Sequence, residues 1–379
     1  MSGARVVEGG NNESRRIPGG DVRFGVVGTG AMAATMMECF ALEPRVRVVA
    51  VASSHAGRSH AFAARFGIGA AHDEIGSMLA RADVDAVYIA NVCADHAATA
   101  VAALEAGKAV LCEKPFAIDA AEGARVAAAA HASGRLFMEA QWTPFLPAFV
   151  ALRRLVEEGA LGHSMRLHSD FGMSLDAASH PRLFTGPGAG VLLDFGVYPI
   201  VLALQLLGPV VSVRAAISHD PSGVDVHAAL QLVHAGGGRS QLAASLQSAM
   251  PNATSVSGSR GRVQLDSPVM GAEWLHTVHV EPVQASGRDD HAVGAKHRLV
   301  TALRRQPWLR RLKASRPPGR RSHHPFGADR YLPQLRHFVA LLAAGDIASD
   351  VMPIETSLAV LRVIDQARLD CPPPLSGRT

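Results

Sequence analysis

The stretch Val22-Arg-Phe-Gly-Val-Val-Gly-Thr-Gly-Ala-Met-Ala33 decides the fold of this chain. It contains a short apolar strand, Val22–Val27, then a G-x-G-x-x-A turn and the beginning of a helix. In this setting Gly28 permits the tight turn, Gly30 lets the backbone approach a pyrophosphate, and Ala33 allows close packing of helix on strand. The helix N-terminus adds N–H donors to phosphate. The alternative is a purely structural glycine turn. We expect dinucleotide contacts from Gly28, Thr29, Gly30, Ala31 and Met32.

The segment from residue 21 to residue 145 alternates between apolar strands and helices. Strands of this kind, joined by helical spacers, are typical of a parallel sheet covered on both faces. We therefore expect an N-terminal α/β domain of the Rossmann type over residues 21–145. Its further strands are predicted at Val46–Ala52, Val84–Ala90 and Ala109–Cys112, and its helices at Ala31–Leu42, Arg58–Phe66, His96–Ala106 and Ala120–Ser133.

The pattern changes beyond Pro147, and we expect a second α/β domain over residues 146–371. An amphipathic helix, Ala148–Glu158, comes first, and a last helix, Ile354–Leu369, closes the domain. Short alternating strands between them predict an open, mostly antiparallel sheet. These strands are Ser164–Asp170, Val210–Ser218, Val226–Val233, Gln241–Ser248 and Arg262–Leu265.

Two segments stand apart from these domains. Residues 1–20 are polar and glycine-rich, which predicts a disordered tail. Residues 285–325 carry eleven basic and two acidic residues, so they read as a basic insertion. A basic amphipathic helix around Trp308 is one interpretation and would contact nucleic acid or an anionic surface. We prefer a solvated or disordered lobe without nucleic acid.

Composition favours an ordinary soluble protein without metal. The chain has 379 residues, 48% hydrophobic and 18% charged, which allows two full cores. Its four cysteines form no C-x-x-C pair, which favours free thiols in a reducing compartment, the cytoplasm. Arg15-Arg16 lacks the apolar region of an export signal. The uncharged run Phe195–Val213 is broken at Gly208-Pro209, which predicts a buried helix and a strand rather than a membrane span.

The end of the second strand bears on the choice of cofactor. Sites that prefer NAD place Asp or Glu there, on the ribose hydroxyls. This chain has Ala52-Ser53-Ser54-His55, with Arg58 one turn later, and these groups suit a 2′-phosphate. We therefore favour NADP, with NAD as the alternative. Arg58 would otherwise be a solvated residue on a helix face.

Two further stretches carry the expected chemistry. Val110-Leu-Cys-Glu-Lys-Pro115 places Lys114 at the carboxyl edge of the sheet, where open α/β folds bind ligands. Gly188–Pro199 places Asp194 and Tyr198 four residues apart, on one face if they begin a helix. Lys114 as a surface lysine, Asp194 as a helix cap and Tyr198 as a core residue are the alternatives.

At this point the chain resembles a known family. Gly28–Ala33, Ala106–Pro115 and Gly188–Pro199 together resemble the Gfo/Idh/MocA oxidoreductases. Phe137–Pro147 and Arg182-Leu-Phe184 resemble the branch that contains dimeric dihydrodiol dehydrogenase and NADP-dependent D-xylose dehydrogenase. The likeness runs from about residue 21 to residue 369, apart from the basic stretch. Ser54 departs from this branch, which often has arginine there.

The resemblance implies a homodimer through the open sheet and roles for individual residues. Lys114 would lie beside the nicotinamide and bind the reacting oxygen, with a Lys-Pro peptide that is often cis. Tyr198 would be the general acid/base, in place of a histidine common elsewhere in the family. Cofactor contacts are further implied for Asn91, His96 and Glu113, and substrate contacts for Trp142, Phe171 and Arg182.

The expected reaction is hydride transfer between a sugar or cyclic diol carbinol and the nicotinamide. Tyr198 would take the hydroxyl proton, and we expect Lys114 and the oxidised nicotinamide to lower its pKa. Asp194 would orient the lysine or bind a substrate hydroxyl. The alternatives are an aldose, inositol or deoxysugar reductase of the same family and a catalytically silent NADP-binding sensor.

Overall fold

The computed structural model describes residues 20–281 and 319–372. The predicted disordered tail, apart from Gly20, lies outside these residues. So do most of the predicted basic insertion, including Trp308, and the end of the chain after residue 372. The described residues form two separate sheets, one of six strands and one of eight.

The first domain is a six-stranded parallel sheet in the order β3-β2-β1-β4-β5-β6. The order reverses between β1 and β4, which creates the crevice where α/β folds bind nucleotides. Its strands are β1 (Val22–Val27), β2 (Val46–Ala52), β3 (Ala70–His72), β4 (Ala86–Ile89), β5 (Ala109–Cys112) and β6 (Phe137–Glu139). Its helices are α1 (Ala31–Ala41), α2 (Arg58–Phe66), α3 (Ile75–Leu79), α4 (His96–Glu105) and α5 (Ala120–Ser133).

Burial explains why the sequence predicted most of these elements. Every residue of β4 and β5 is buried, and β1 is buried except at Arg23, so each is a continuous apolar run. Helices cover both faces of such a sheet. β3, α3 and β6 were not predicted from the sequence, because elements of three to five residues are too short to show a periodicity.

The second domain is an eight-stranded sheet in the order β14-β13-β12-β11-β7-β10-β9-β8. All neighbouring strands are antiparallel except β7 and β10, which confirms the prediction of a mostly antiparallel sheet. The strands are β7 (Arg166–Gly172), β8 (Val210–His219), β9 (Asp225–His234), β10 (Arg239–Ser245), β11 (Thr254–Gly258), β12 (Gly261–Leu265), β13 (Trp274–His279) and β14 (Arg320–His323).

One boundary in this domain is a correction. Residues 320–323 were predicted to belong to the basic insertion, but they form the edge strand β14, paired with β13. Strands β11 and β13 were not predicted either. The high proportion of serine and arginine in β11 and β14 hid their period, since such residues are typical of loops. Here pairing with a neighbouring strand decides the conformation.

The described residues of this domain also include five α-helices. They are α6 (Pro147–Glu157), α7 (Pro181–Phe184), α8 (Val197–Leu207), α9 (Leu332–Ala344) and α10 (Ile354–Asp370). The uncharged run Phe195–Val213 contains α8 and the beginning of β8, as predicted. Across 20–281 and 319–372, no helix is long and apolar enough to cross a membrane. The described part of the chain also contains no cluster of three or more potential metal ligands.

Candidate active site

The glycine turn lies at the carboxyl end of β1, where the strand order reverses. Gly28 has a φ of +105°, and a Cβ at this position would lie 2.3 Å from the carbonyl oxygen of Ala90. No other residue fits there, so the glycine is required by the fold itself. Gly30 caps α1 and would carry a Cβ with no atom within 4 Å. The space above Gly30 is therefore open to a ligand, as a phosphate site at a helix N-terminus requires.

A narrow cleft runs from this turn to the end of β2. Its lining combines the glycine turn with the polar groups predicted to favour NADP: Gly28, Thr29, Gly30, Ser53, Ser54, His55 and Arg58. Asn91, Asp95 and Arg182 also line this cleft. The predicted substrate residue Arg182 therefore reaches the nucleotide cleft as well.

A second cleft of about 490 Å³ continues from the first. Arg182 and Asn91 line both clefts, so the two form one continuous groove. The second cleft brings together residues predicted for cofactor binding, catalysis and substrate binding: Met32, Asn91, His96, Glu113, Lys114, Arg182 and Asp194. Cys93 also lines it, which the sequence analysis did not predict.

Lys114 is held at the end of β5 by a residue 80 positions away. Its Nζ donates to Asp194 Oδ1 at 2.8 Å and to the Asp194 carbonyl oxygen at 3.0 Å. The Lys114–Pro115 peptide is cis, as the resemblance implied. Burial lowers the pKa of Lys114, but the attraction of Asp194 and Tyr198 outweighs it and raises the pKa above its usual value. Lys114 is thus a fixed, charged donor at the cleft wall.

Tyr198 packs against this lysine within an aromatic cluster. The Lys114 ammonium lies 5.1 Å from the centre of the Tyr198 ring. Trp142 and Phe171 contact the ring edge to face, with centroids at 6.3 Å and 5.4 Å. Tyr198 is 6% exposed, and Trp142 and Phe171 are buried too, so none of the three lines the cleft directly.

The expected direction of the Tyr198 pKa is wrong for the protein alone. Burial raises this pKa, and Asp194 raises it further, whereas Lys114 lowers it. The sum is a raised pKa, since a phenolate inside an aromatic cluster loses its solvation. The sequence identified the helpful cation but could not show how deeply the phenol is buried.

The backbone between Asp194 and Tyr198 is not the regular α-helix that was predicted. Residues Leu192–Gly196 form a π-helical turn, and α8 begins only at Val197. Such wide turns are rare and are frequent at functional sites. Asp194 is not a helix cap, and both Asp194 and Tyr198 contact Lys114 from this wider turn and the beginning of α8.

Two predicted cofactor residues carry buried atoms that lack a partner. His96 Nδ1 lies 2.8 Å from the carbonyl oxygen of Pro115, while its Nε2 is buried and unpaired. The Asn91 side chain donates to Thr99, and its Oδ1 is likewise unpaired. Burial lowers the pKa of His96, so the ring is neutral and Nε2 is left as an acceptor. Since buried polar atoms rarely stay unpaired, both atoms are suited to a ligand.

Glu113 has a different environment from the one expected of a cofactor contact. Its Oε1 accepts from the Tyr88 hydroxyl at 2.7 Å, and its Oε2 accepts from the Lys114 backbone N–H at 3.3 Å. Burial raises the pKa of Glu113 to about 7. The carboxyl group therefore supports the backbone at Lys114, and no motif in the sequence points to its partner Tyr88.

The comparisons with known proteins identify the class first. Residues 22–141 match the family model described as an oxidoreductase family with an NAD-binding Rossmann fold. The protein is therefore an oxidoreductase with a nucleotide-binding Rossmann domain. Residues 149–264 match the GFO/IDH/MocA C-terminal domain. The chain belongs to the Gfo/Idh/MocA family of oxidoreductases, which confirms the resemblance.

Similar proteins act on different substrates. The chain is 33% identical over 251 residues to trans-1,2-dihydrobenzene-1,2-diol dehydrogenase of Bos taurus, covering 65% of this chain and 75% of the relative. It is 37% identical over 249 residues to dTDP-3,4-didehydro-2,6-dideoxy-alpha-D-glucose 3-reductase of Streptomyces violaceoruber, covering 65% and 72%. The structure of KijD10, a 3-ketoreductase from Actinomadura kijaniata in complex with NADP and TDP-benzene, superimposes with a TM-score of 0.74 at 26% identity, covering 92% of this chain and 98% of KijD10.

Proposed function

We propose that this protein is an NADP-dependent oxidoreductase that transfers hydride between the nicotinamide and a carbinol or carbonyl carbon of a sugar or cyclic diol. The observation that carries the proposal is the Lys114–Asp194 pair over the Tyr198 ring, at the end of the nucleotide groove. A sensor without activity has no need of this arrangement. The relatives named as a diol dehydrogenase and a sugar reductase support the substrate class.

The groove suits NADP in particular. The open space above Gly30 admits the pyrophosphate. Farther along the groove, the unpaired His96 Nε2 and Asn91 Oδ1 are available to bind the cofactor. Ser53, Ser54 and Arg58 offer hydroxyl and guanidinium donors for a 2′-phosphate, and KijD10 was solved with NADP. Guanidinium groups bind phosphate well because their donors match its oxygens.

The proposed roles follow from charge and position. When bound, the dinucleotide supplies the hydride acceptor or donor. Lys114 donates a hydrogen bond to the reacting oxygen, and Asp194 keeps the ammonium charged and in place. Tyr198 exchanges the hydroxyl proton, and the Lys114 charge favours the phenolate that burial opposes. In the reductive direction the same phenol protonates the forming alkoxide.

Trp142, Phe171 and Arg182 are proposed to select the substrate. The two buried rings contact Tyr198 and would act on specificity by positioning the Tyr198 ring. Arg182 lines both clefts, at the junction between nucleotide and substrate. Hydroxyl groups of a sugar or diol would bind Asp194 and Arg182, which both line the second cleft.

We also propose a homodimer through the outer face of the eight-stranded sheet. Register places His168 beside Gln241 and Gln241 beside Gln231, so a polar row crosses this face. Size-exclusion chromatography with light scattering would test the dimer, with His168→Glu and Gln241→Glu together expected to shift it to monomer. A monomeric wild type would refute this part of the proposal.

The experiment for the activity follows NADPH fluorescence with a panel of aldoses, cyclic diols and nucleotide-linked ketosugars, in both directions. We expect turnover with NADP and a free sugar or diol, and its loss in Tyr198→Phe and Lys114→Ala without loss of cofactor binding. Unchanged turnover in both variants would refute the roles of Lys114 and Tyr198. Turnover confined to nucleotide-linked ketosugars would favour the deoxysugar reductase instead, as the Streptomyces relative suggests.

A further inference from the structure

The π-helical turn that carries Asp194 is held by a carboxyl group from another element. Asp225, the first residue of β9, is buried, with only 6% of its surface exposed. Its Oδ2 accepts from the backbone N–H of Leu192 at 2.8 Å. The first N–H groups of a helix have no partner within it, so an outside acceptor is the usual solution. Here that acceptor comes from the sheet.

The same carboxyl group also fits closely against Gly190. This glycine has a φ of +117°, and a Cβ there would lie 1.9 Å from Asp225 Oδ1. One oxygen of Asp225 therefore occupies the space beside Gly190, while the other bonds Leu192. The glycine in Gly188-Ala-Gly190 is required because the carboxyl group fills the place of a side chain.

Asp194 lies two residues beyond Leu192, and its own N–H bonds the Gly190 carbonyl oxygen at 3.3 Å. Both ends of this short connection are thus tied to residues that contact Asp225. Asp194 in turn meets Lys114 Nζ with its carbonyl oxygen and its carboxylate together. Two simultaneous contacts of this kind require the turn to stay within a few tenths of an ångström of its position.

We propose that Asp225 is a positioning residue, which holds the Gly190–Asp194 turn so that Asp194 binds Lys114 with its carbonyl oxygen and its carboxylate together. It acts through Asp194 and touches neither nucleotide nor substrate. The kinetic consequence rests on the proposed function, but the effect on Lys114 does not. Loss of the acceptor at Asp225 loosens the turn and weakens the hold on the lysine.

The test compares Asp225→Ser, Asp225→Asn and His234→Ala. Asparagine keeps an oxygen within reach of the Leu192 N–H, while the shorter serine does not. His234 is the control, since it is buried at the other end of the same strand and bonds the Gly208 carbonyl oxygen at 2.7 Å. A ten-residue strand separates the two sites by roughly 30 Å. His234→Ala should therefore destabilise the domain without reaching Lys114.

Lysine labelling provides a readout that needs no turnover. The pH dependence of Lys114 modification by an amine reagent is followed by mass spectrometry of its peptide, on the intact chain. In Asp225→Ser, labelling should begin at lower pH than in the wild type, because a buried ammonium that loses its carboxylate has a lower pKa. His234→Ala and Asp225→Asn should keep the wild-type profile.

Kinetics provide the second readout. We expect kcat of Asp225→Ser to fall about tenfold to hundredfold, as for a lost hydrogen bond to a charged group, with cofactor Kd unchanged. A wild-type labelling profile in Asp225→Ser, or an equal shift in His234→Ala, would overturn the proposal. So would Asp225→Asn behaving as the serine variant does. If the wild type were inactive but Asp225→Ser still showed the labelling shift, the proposed function would be refuted and the positioning role supported.

Discussion

Replacing Asp194 by alanine removes the carboxylate partner of Lys114 and leaves the lysine where it is. The side chains of Lys114 and Asp194 are 14% and 28% exposed, and the N–O distance is 2.8 Å. Alanine leaves the backbone carbonyl oxygen of residue 194 in place, so one of the two contacts to Nζ survives. The change therefore isolates the charge at the cleft wall.

The distance sets the size of the effect. Two unit charges at 2.8 Å attract by roughly 6 kcal/mol at an effective dielectric constant of about 20. Part of this attraction offsets the cost of burying both groups, and breaking such a pair typically costs about 3–5 kcal/mol. Because the carbonyl contact remains, we expect the free energy of unfolding to fall by about 3 kcal/mol. Asp194→Asn, which keeps an acceptor, should lose about half as much.

The pH dependence of the Lys114–Asp194 pair provides a second expectation. The folded pKa of Lys114 is raised, so the contribution of the pair is complete below the ordinary lysine pKa and is lost only as pH rises beyond it. The stability difference between wild type and Asp194→Ala should therefore be constant between about pH 6 and pH 9. In the variant the attraction of Asp194 is lost, and burial, which lowers the pKa of Lys114, is opposed only by Tyr198 and Glu113. The alkaline limb of kcat/KM should therefore move toward neutral pH.

Urea unfolding followed by circular dichroism measures the free energy of unfolding. A pH series of NADPH oxidation measures the alkaline limb of kcat/KM. If Asp194→Ala lost less than about 1 kcal/mol of unfolding free energy, the Lys114–Asp194 pair would be no stronger than an ordinary surface ion pair, and the expected stabilisation would be wrong. An alkaline limb that stays in place would show that Lys114 does not depend on Asp194 for its charge.

Three further predictions concern other parts of the groove. Burial raises the pKa of Glu113 to about 7 from 4.5, so the carboxyl group stays protonated to higher pH in the folded chain than in the unfolded one. The free energy of unfolding therefore falls as pH rises through this range. In Glu113→Gln this fall of roughly 3 kcal/mol should be absent from unfolding curves measured across the same pH range. Gly28→Ala should destabilise the fold by more than about 2 kcal/mol, since its φ is +105° and its Cβ would collide with a carbonyl oxygen. The matched Gly30→Ala should change stability by less than about 0.5 kcal/mol but weaken cofactor binding measured by calorimetry, and equal effects at both glycines would contradict this. Arg58→Ala should weaken NADP binding about tenfold and leave NAD binding unchanged, and an equal loss for both cofactors would refute the 2′-phosphate role.

Much of the first domain could be predicted from local pattern. Val22–Val27, Val46–Ala52, Ala109–Cys112 and Ala120–Ser133 have the predicted bounds, because apolar runs or helical periodicity mark each of them in the sequence. In the second domain the ends of β7 and β10 differ from the prediction by two or three residues. A half-exposed strand owes its ends to pairing with neighbours, which a single sequence does not record.

The site divides in the same way. The glycine turn and the lysine at the end of β5 could be recognised from local pattern, because a turn that needs φ above zero and a strand end are local properties. The contacts of these residues depend on the folded chain: Lys114 binds Asp194, 80 residues away, and Asp225 bonds the turn that carries Asp194. The tertiary structure also decided the direction of the Tyr198 pKa, because the cost of burial depends on every group packed around the phenol and not on the one cation that the motif revealed.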